Sequence, residues 1–125
     1  MQLGLDFIRN NLARQAEMSV SEQAVFFVST ASVILANSVE DKQLIAAVFD
    51  GIDSLRYTIA SDKATESILA PLDIALTYQS LALARLADDR DRTLSALRSV
   101  INYEPNPELR SVYVSELERL AGEDS

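Results

Sequence analysis

Asp50, Gly51, Ile52 and Asp53 stand together as Asp-Gly-Ile-Asp, and carboxylates spaced around a glycine are the raw material of a calcium loop. Such a loop presents oxygen ligands at alternating positions over about twelve residues. Here Arg56 and Tyr57 follow in place of further ligands, so the spacing predicts a solvated helix face. A second acidic group, Asp88, Asp89 and Asp91, is interleaved with Arg90 and Arg92. The two guanidinium groups neutralise most of it, which reads as a surface turn whose Asp89 and Asp91 cap the following helix. Glu40, Asp41, Asp62 and Glu66 fall near expected helix starts. Paired carboxylates do acid–base work when burial separates their pKa values, but di-metal helical bundles also require Glu-x-x-His from two helices. This chain has no histidine.

What is missing narrows the chemistry further. Without histidine there is no imidazole for a zinc, copper or haem site and no ordinary general base near neutrality. Without cysteine there is no disulfide framework, thiolate metal site or sulfur nucleophile. The only glycines are Gly4, Gly51 and Gly122, too scattered for a phosphate-cradling loop, and no serine sits in a nucleophile elbow. The expectation is a non-enzymatic protein with no catalytic residue, no metal and no cofactor. Its net charge of −8 repels phosphate backbones and anionic lipid surfaces, so neither nucleic acid nor a membrane is expected as a direct partner. The same charge favours solubility and a basic partner.

These residues have to be positioned by helices. At 125 residues with 48% apolar composition, the chain has the size of one domain and enough apolar surface for a core. Leu5, Ile8 and Leu12 share one face of a first helix. Ser19 and Glu22 have the spacing of a capping box that opens a second. That helix runs to about Ala36 and is apolar nearly all round, which places it in the middle of a bundle. Its stretch Ala24–Ala36 is shorter than the roughly 20 residues of a membrane span, and the first fifteen residues lack the pattern of a signal peptide; a cytoplasmic location is expected.

Ser38 with Asp41 repeats the start signal, and Leu44, Val48, Ile52, Leu55 and Ile59 form the stripe of a third helix that passes through Gly51. Ser61 caps a short fourth segment that Pro71 stops or kinks. A long helix follows to about Ala87, then the polar turn at Asp88–Asp91, then a helix from about Arg92 to Tyr103 that buries Leu94, Leu97 and Ile101. Asn106 caps a last helix with Pro107 in its first position, whose buried face is Leu109, Val112, Tyr113, Leu117 and Leu120. The whole predicts an all-α, single-domain antiparallel bundle of six or seven helices over 1–121, with a frayed tail at 122–125.

Residues 72–120 read helix, tight turn, helix, proline-containing joint, helix. With Leu94, Leu97 and Ile101 on the second helix and Tyr-Glu-Pro-Asn-Pro-Glu at Tyr103–Glu108, this segment resembles a tetratricopeptide-like helical hairpin. Asp88 stands where that family carries a turn glycine, and no second copy appears at a spacing of about 34 residues. The resemblance implies a concave surface that holds a peptide or helix of a partner, as small secretion chaperones and adaptors do.

Function is therefore expected to lie in protein–protein contact. Phe26, Phe27, Tyr78, Tyr103 and Tyr113 are the candidate partner-binding residues: the tyrosines are amphipathic, and the two adjacent phenylalanines point about 100° apart on a helix. Each tyrosine also lies near an apolar stripe, where it would serve the core edge instead. The leading expectation is an adaptor or small chaperone-like protein binding a basic protein or a presented helix. The alternatives are an acidic inhibitor of antitoxin type that blocks a basic nucleic-acid-binding partner, and a self-assembling subunit of a structure such as a phage particle; separately, a homodimer is expected if the monomer leaves Phe26 and Phe27 uncovered.

Overall fold

The computed structural model describes residues 2–122. Among them are six α-helices and no strand: α1 Gln2–Ala13, α2 Val20–Ala36, α3 Lys42–Ala60, α4 Lys63–Leu86, α5 Arg90–Tyr103 and α6 Pro107–Gly122, with a one-turn 3-10 helix at Gln15–Glu17 between the first two. This is the expected all-α bundle. Gly122 is still helical in α6, and 123–125, where the tail was expected to fray, lie outside the described residues.

The helix starts are chemical. Ser19 caps α2 in a full capping box: its hydroxyl accepts from the Glu22 N–H at 3.1 Å, and the Glu22 carboxylate accepts from the Ser19 N–H at 3.2 Å. Asp41, not Ser38, caps α3, accepting from the Leu44 N–H at 3.1 Å. Ser38 instead ends the α2 connection in a left-handed conformation, φ 47°. Asp62, not Ser61, caps α4 through the Ala64 N–H; an aspartate one residue further on offers a charged acceptor to the orphan donors. Asp89 caps α5 and Asn106 caps α6, as expected.

Pro71 does not stop the fourth helix. α4 is a single helix of 24 residues running through it. Pro71 and Ser67 are both exposed, so the carbonyl that proline leaves without a donor four residues back lies on the wet side, where water can serve it. On the dry side Leu69, Leu76 and Leu83 keep one phase and bury on both sides of the break.

α4 is also the central helix. One of its faces joins the larger core cluster with Ala24, Phe27, Ala31 and Ile34 of α2, Ile8 of α1, and Leu44, Val48, Ile52, Leu55 and Ile59 of α3. Its Leu81 and Ala84 join a second cluster with Phe49, Ala96, Leu97 and Val100, against which Tyr78, Tyr113, Leu117 and Leu120 pack. Its buried hydroxyls are satisfied within the helix, Thr77 donating to the Asp73 carbonyl and Ser80 to the Thr77 carbonyl. α4 is the one helix long and apolar enough to cross a membrane by length and composition; here that apolarity is spent on two protein faces. α2, expected in the middle, lies at the side. α3 and α4 cover its inner face, while Val25 is 57% and Val33 40% exposed.

α6 closes the far end on α5 and the edge of α4. Its expected buried face is only half realised: Tyr113, Leu117 and Leu120 are half-buried, but Leu109 and Val112 are exposed. Among the described residues α6 packs chiefly on α5 and the edge of α4, so one narrow stripe is sheltered. Tyr57 is 80% exposed.

Gly51 is where the Phe27 ring of α2 seats against α3. A Cβ placed there would meet the Phe27 ring at 2.5 Å, and Phe27 is wholly buried with an edge contact to Phe26. Gly51→Ala gains about 1 kcal/mol of helix propensity but overpacks a rigid ring, which costs about 1–3 kcal/mol. We expect a net loss near 1 kcal/mol in a denaturant midpoint, smaller when Phe27→Leu is already present. A Gly51→Ala midpoint at or above that of the parent would show that the ring yields freely.

Candidate functional site

Two places on the molecule bring the candidate residues into defined surroundings. The first is a polar joint where α5 turns into α6. Glu104 ends α5 and is 7% exposed. One of its carboxylate oxygens accepts from the Tyr78 hydroxyl of α4, and the other accepts from the Asn106 N–H at 3.1 Å. Its carbonyl accepts from Arg110 of α6. Beside it the Tyr103 hydroxyl donates to Asp73 at 2.6 Å, and Arg56 of α3 donates to the other Asp73 oxygen at 3.1 Å. The Arg56 guanidinium also lies 5.5 Å from the centre of the Tyr103 ring, within cation–π range.

Asp73 is 6% exposed, so its charge is tolerable only because both oxygens are engaged. The hydrogen bond to Glu104, followed by burial, pushes the Tyr78 phenol up to about 12. The bond to Asp73 raises the Tyr103 phenol likewise. The joint therefore ties α3, α4, α5 and α6 together, its two acids buried while Tyr103 stays 39% exposed.

The second place is the outer face of α1 and α2. Phe26 is half-buried and stands between two shallow grooves. One, of about 480 Å³, is lined by Met18, Ser21, Glu22, Val25 and Phe26. The other, of about 200 Å³, is lined by Phe7, Ile8, Phe26, Ser29, Thr30 and Val33. Phe7 is 65% exposed. Because Phe26 borders both, the exposed apolar side chains form one surface and not isolated spots.

The rotation of α2 that turns this face outward is fixed from behind. Phe27 is seated on Gly51, and the Gln79 amide of α4 donates to the Val28 carbonyl at 3.2 Å and to the Ser32 hydroxyl at 3.0 Å. Glu22 lines the larger groove, and near it Arg14 and Glu17 pair with each other.

Several of the acidic groups singled out above resolve into ion pairs and caps, while Glu40, Asp53 and Glu66 lie exposed on the surface. Asp50 and Asp89 both engage Arg92, at 2.7 Å each. Burial works against the Asp89 carboxylate, but its bonds to Arg92 outweigh it and hold the group below the usual range. Asp41 is held low chiefly by the Leu44 N–H, and it also pairs with Arg9 of α1. Among the described residues no three carboxylates converge as a metal site would need.

Of the five residues expected to bind a partner, Phe26 borders open grooves. Phe27 is a core residue at 0% exposure: on a side helix only one of two adjacent rings can face out, and the glycine on α3 makes room for this one. Tyr78 and Tyr103 converge at the polar joint, and Tyr113 packs half-buried on the second cluster. The residues that complete the Phe26 face, Phe7, Val25 and Val33, carry a readable signal. Val25 and Val33 lie eight positions apart on the same side as Ser21 and Ser29, off the inner stripe.

No protein-family model matches the chain, and no curated protein or solved structure matches it. The likeness of 72–120 to a tetratricopeptide-like hairpin accordingly stands on its motif alone.

The joint makes a pH prediction. The folded state holds the Tyr78 proton more tightly than the unfolded chain does. Its contribution to stability is therefore complete below the ordinary phenol value of 10.0 and is lost as pH climbs through about 12. Unfolding free energy of the parent should fall over that window, and Tyr78→Phe should flatten the fall, leaving the part that Tyr103 contributes. An unchanged slope in Tyr78→Phe would remove the Tyr78–Glu104 bond from the account.

Proposed function

We propose that this chain is a protein-interaction domain without catalytic machinery, of adaptor or small chaperone-like type, and that it binds another polypeptide through the α1–α2 face. The observation that carries this reading is the continuity of Phe7, Val25 and Val33 with Phe26 across two open grooves. Single exposed apolar residues, such as Tyr57 or Ile68 here, are ordinary; a contiguous apolar surface on a small domain marks an interaction site. A groove alongside a helix suits the apolar stripe of a second helix, whose anchors recur every three to four residues.

The absence of histidine and cysteine and the ion-paired state of the acidic clusters support a role without catalysis. An acidic, cysteine-free chain suits the cytoplasm. The inhibitor reading draws less support, because its mimicry needs carboxylates gathered at phosphate-like spacing. The exposed ones, among them Asp53, Glu66, Asp91 and Glu118, sit on four different helices.

A photo-reactive phenylalanine analogue incorporated at Phe7 or at Val33, with irradiation in cells, tests the proposal. The expected result is a discrete polypeptide adduct from both positions and none from Val112, which is equally exposed on α6 at the other end of the bundle. Absence of any polypeptide adduct from Phe7 and Val33 overturns it.

A further inference from the structure

We propose that the occupant of the α1–α2 face is the same face of a second copy of this chain, with α2 crossing its counterpart antiparallel and Ser29 at the two-fold axis. This rests on the reading of that face as a polypeptide-docking surface, and it adds what docks.

Charge is the first argument. The chain carries −8 overall, yet no charged residue occurs between Gln23 and Val39, the stretch that supplies most of the face. A basic partner laid across α2 finds a single carboxylate lining the grooves, Glu22 at the N-terminal end, which already accepts from the Ser19 N–H; over the rest of the helix its charges would be buried without compensation. A surface that is itself neutral fits, and an identical copy brings one while both acidic remainders stay in water.

Pattern is the second argument. A two-fold interface is isologous, so if residue i meets residue j, then j meets i. The exposed valines of α2 are placed alike in both directions from Ser29, while Glu22, seven positions out, would meet Ala36 of the second copy. Four positions out on either side stand Val25 and Val33, and eight positions out stand Ser21 and Asn37, both small and polar. Three positions out stand Phe26 on one side and Ser32 on the other, so the large ring of each copy faces a small residue of its partner.

Shape is the third argument. Val25 projects at 57% exposure. In this pairing it lies opposite Val33 of the second copy, whose neighbours Phe7, Phe26 and Ser29 line a groove open to receive it. Ser29 is exposed and small, which lets the two helices approach at the axis.

The test uses Val25→Glu, Val33→Arg and Ser29→Cys in the full chain. Both valines are exposed, so circular dichroism should match the parent. By sedimentation equilibrium the parent is expected at twice the chain mass of 13.8 kDa. Val25→Glu alone and Val33→Arg alone should each self-associate at least ~100-fold more weakly, because each buries an unpaired charge. Mixed together they should recover the dimer, since the new carboxylate of one copy then meets the new guanidinium of the other.

The parent has no cysteine. Ser29→Cys should therefore form an intermolecular disulfide under mild oxidation, much faster than Val112→Cys. A parent that stays at 13.8 kDa across the concentration range overturns the pairing. So does a dimeric parent whose two charge variants fail to complement when mixed, or whose Ser29→Cys crosslinks no faster than Val112→Cys. If the parent is monomeric and photo-adducts from Phe7 and Val33 contain a different polypeptide, self-pairing fails while the docking reading stands. No adduct of any kind removes both.

Discussion

The fold depends on α4 being one unbroken helix. Every other α-helix except α1 meets it directly, and it separates the two core clusters while belonging to both. A proline in its first half would divide a helix whose apolar residues pointed one way. Here the ring is on the wet side, and the leucines that continue the dry face sit before and after it. The roughly 3 kcal/mol that proline costs a helix interior is offset by burial of Leu69 and Leu76, which a broken helix could not place in the same layer.

Once α4 holds the centre, the positions of α2 and α6 follow. α2 packs on α3 and α4 from one side only, so its second apolar surface is left outside. Two contacts set how it is turned. The Phe27 ring fills the space that Gly51 leaves on α3, and Gln79 holds the Val28 carbonyl and the Ser32 hydroxyl. A rotation of α2 by one residue would place Phe26 over Gly51 and bury Val33 in the place of Ile34. The observed surface is thus the consequence of a packing choice made on the opposite side of the helix.

The other end of the molecule is organised by polar groups. Asp73 and Glu104 are buried carboxylates whose oxygens are occupied by Arg56, Tyr103, Tyr78 and the Asn106 N–H. Charge-assisted bonds of this kind are directional, and they set how the α5–α6 connection lies against α3 and α4. Aromatic residues that look like interface material in the sequence are used here as hydrogen-bond donors to acids brought from other helices. One surface of the protein is therefore apolar and open, and the joint at the α5–α6 connection is polar and hydrogen-bonded.

The sequence by itself determined the helices and most of their ends. The stripe of Leu44, Val48, Ile52, Leu55 and Ile59, the Ser19–Glu22 box, and the Asn106–Pro107 start depend on neighbours within a few residues, and local hydrogen bonding and periodicity suffice to read them. It also determined the short list of chemistries the chain can offer, because a side chain that is absent cannot be supplied by folding. Only the tertiary structure decided which helix is central, which of Phe26 and Phe27 is outside, and that the Tyr78 and Tyr103 hydroxyls donate to Glu104 and Asp73. Those outcomes depend on residues thirty or more positions away in several cases. An apolar helix reads alike whether it is covered on one side or two, until the helices that cover it are in place.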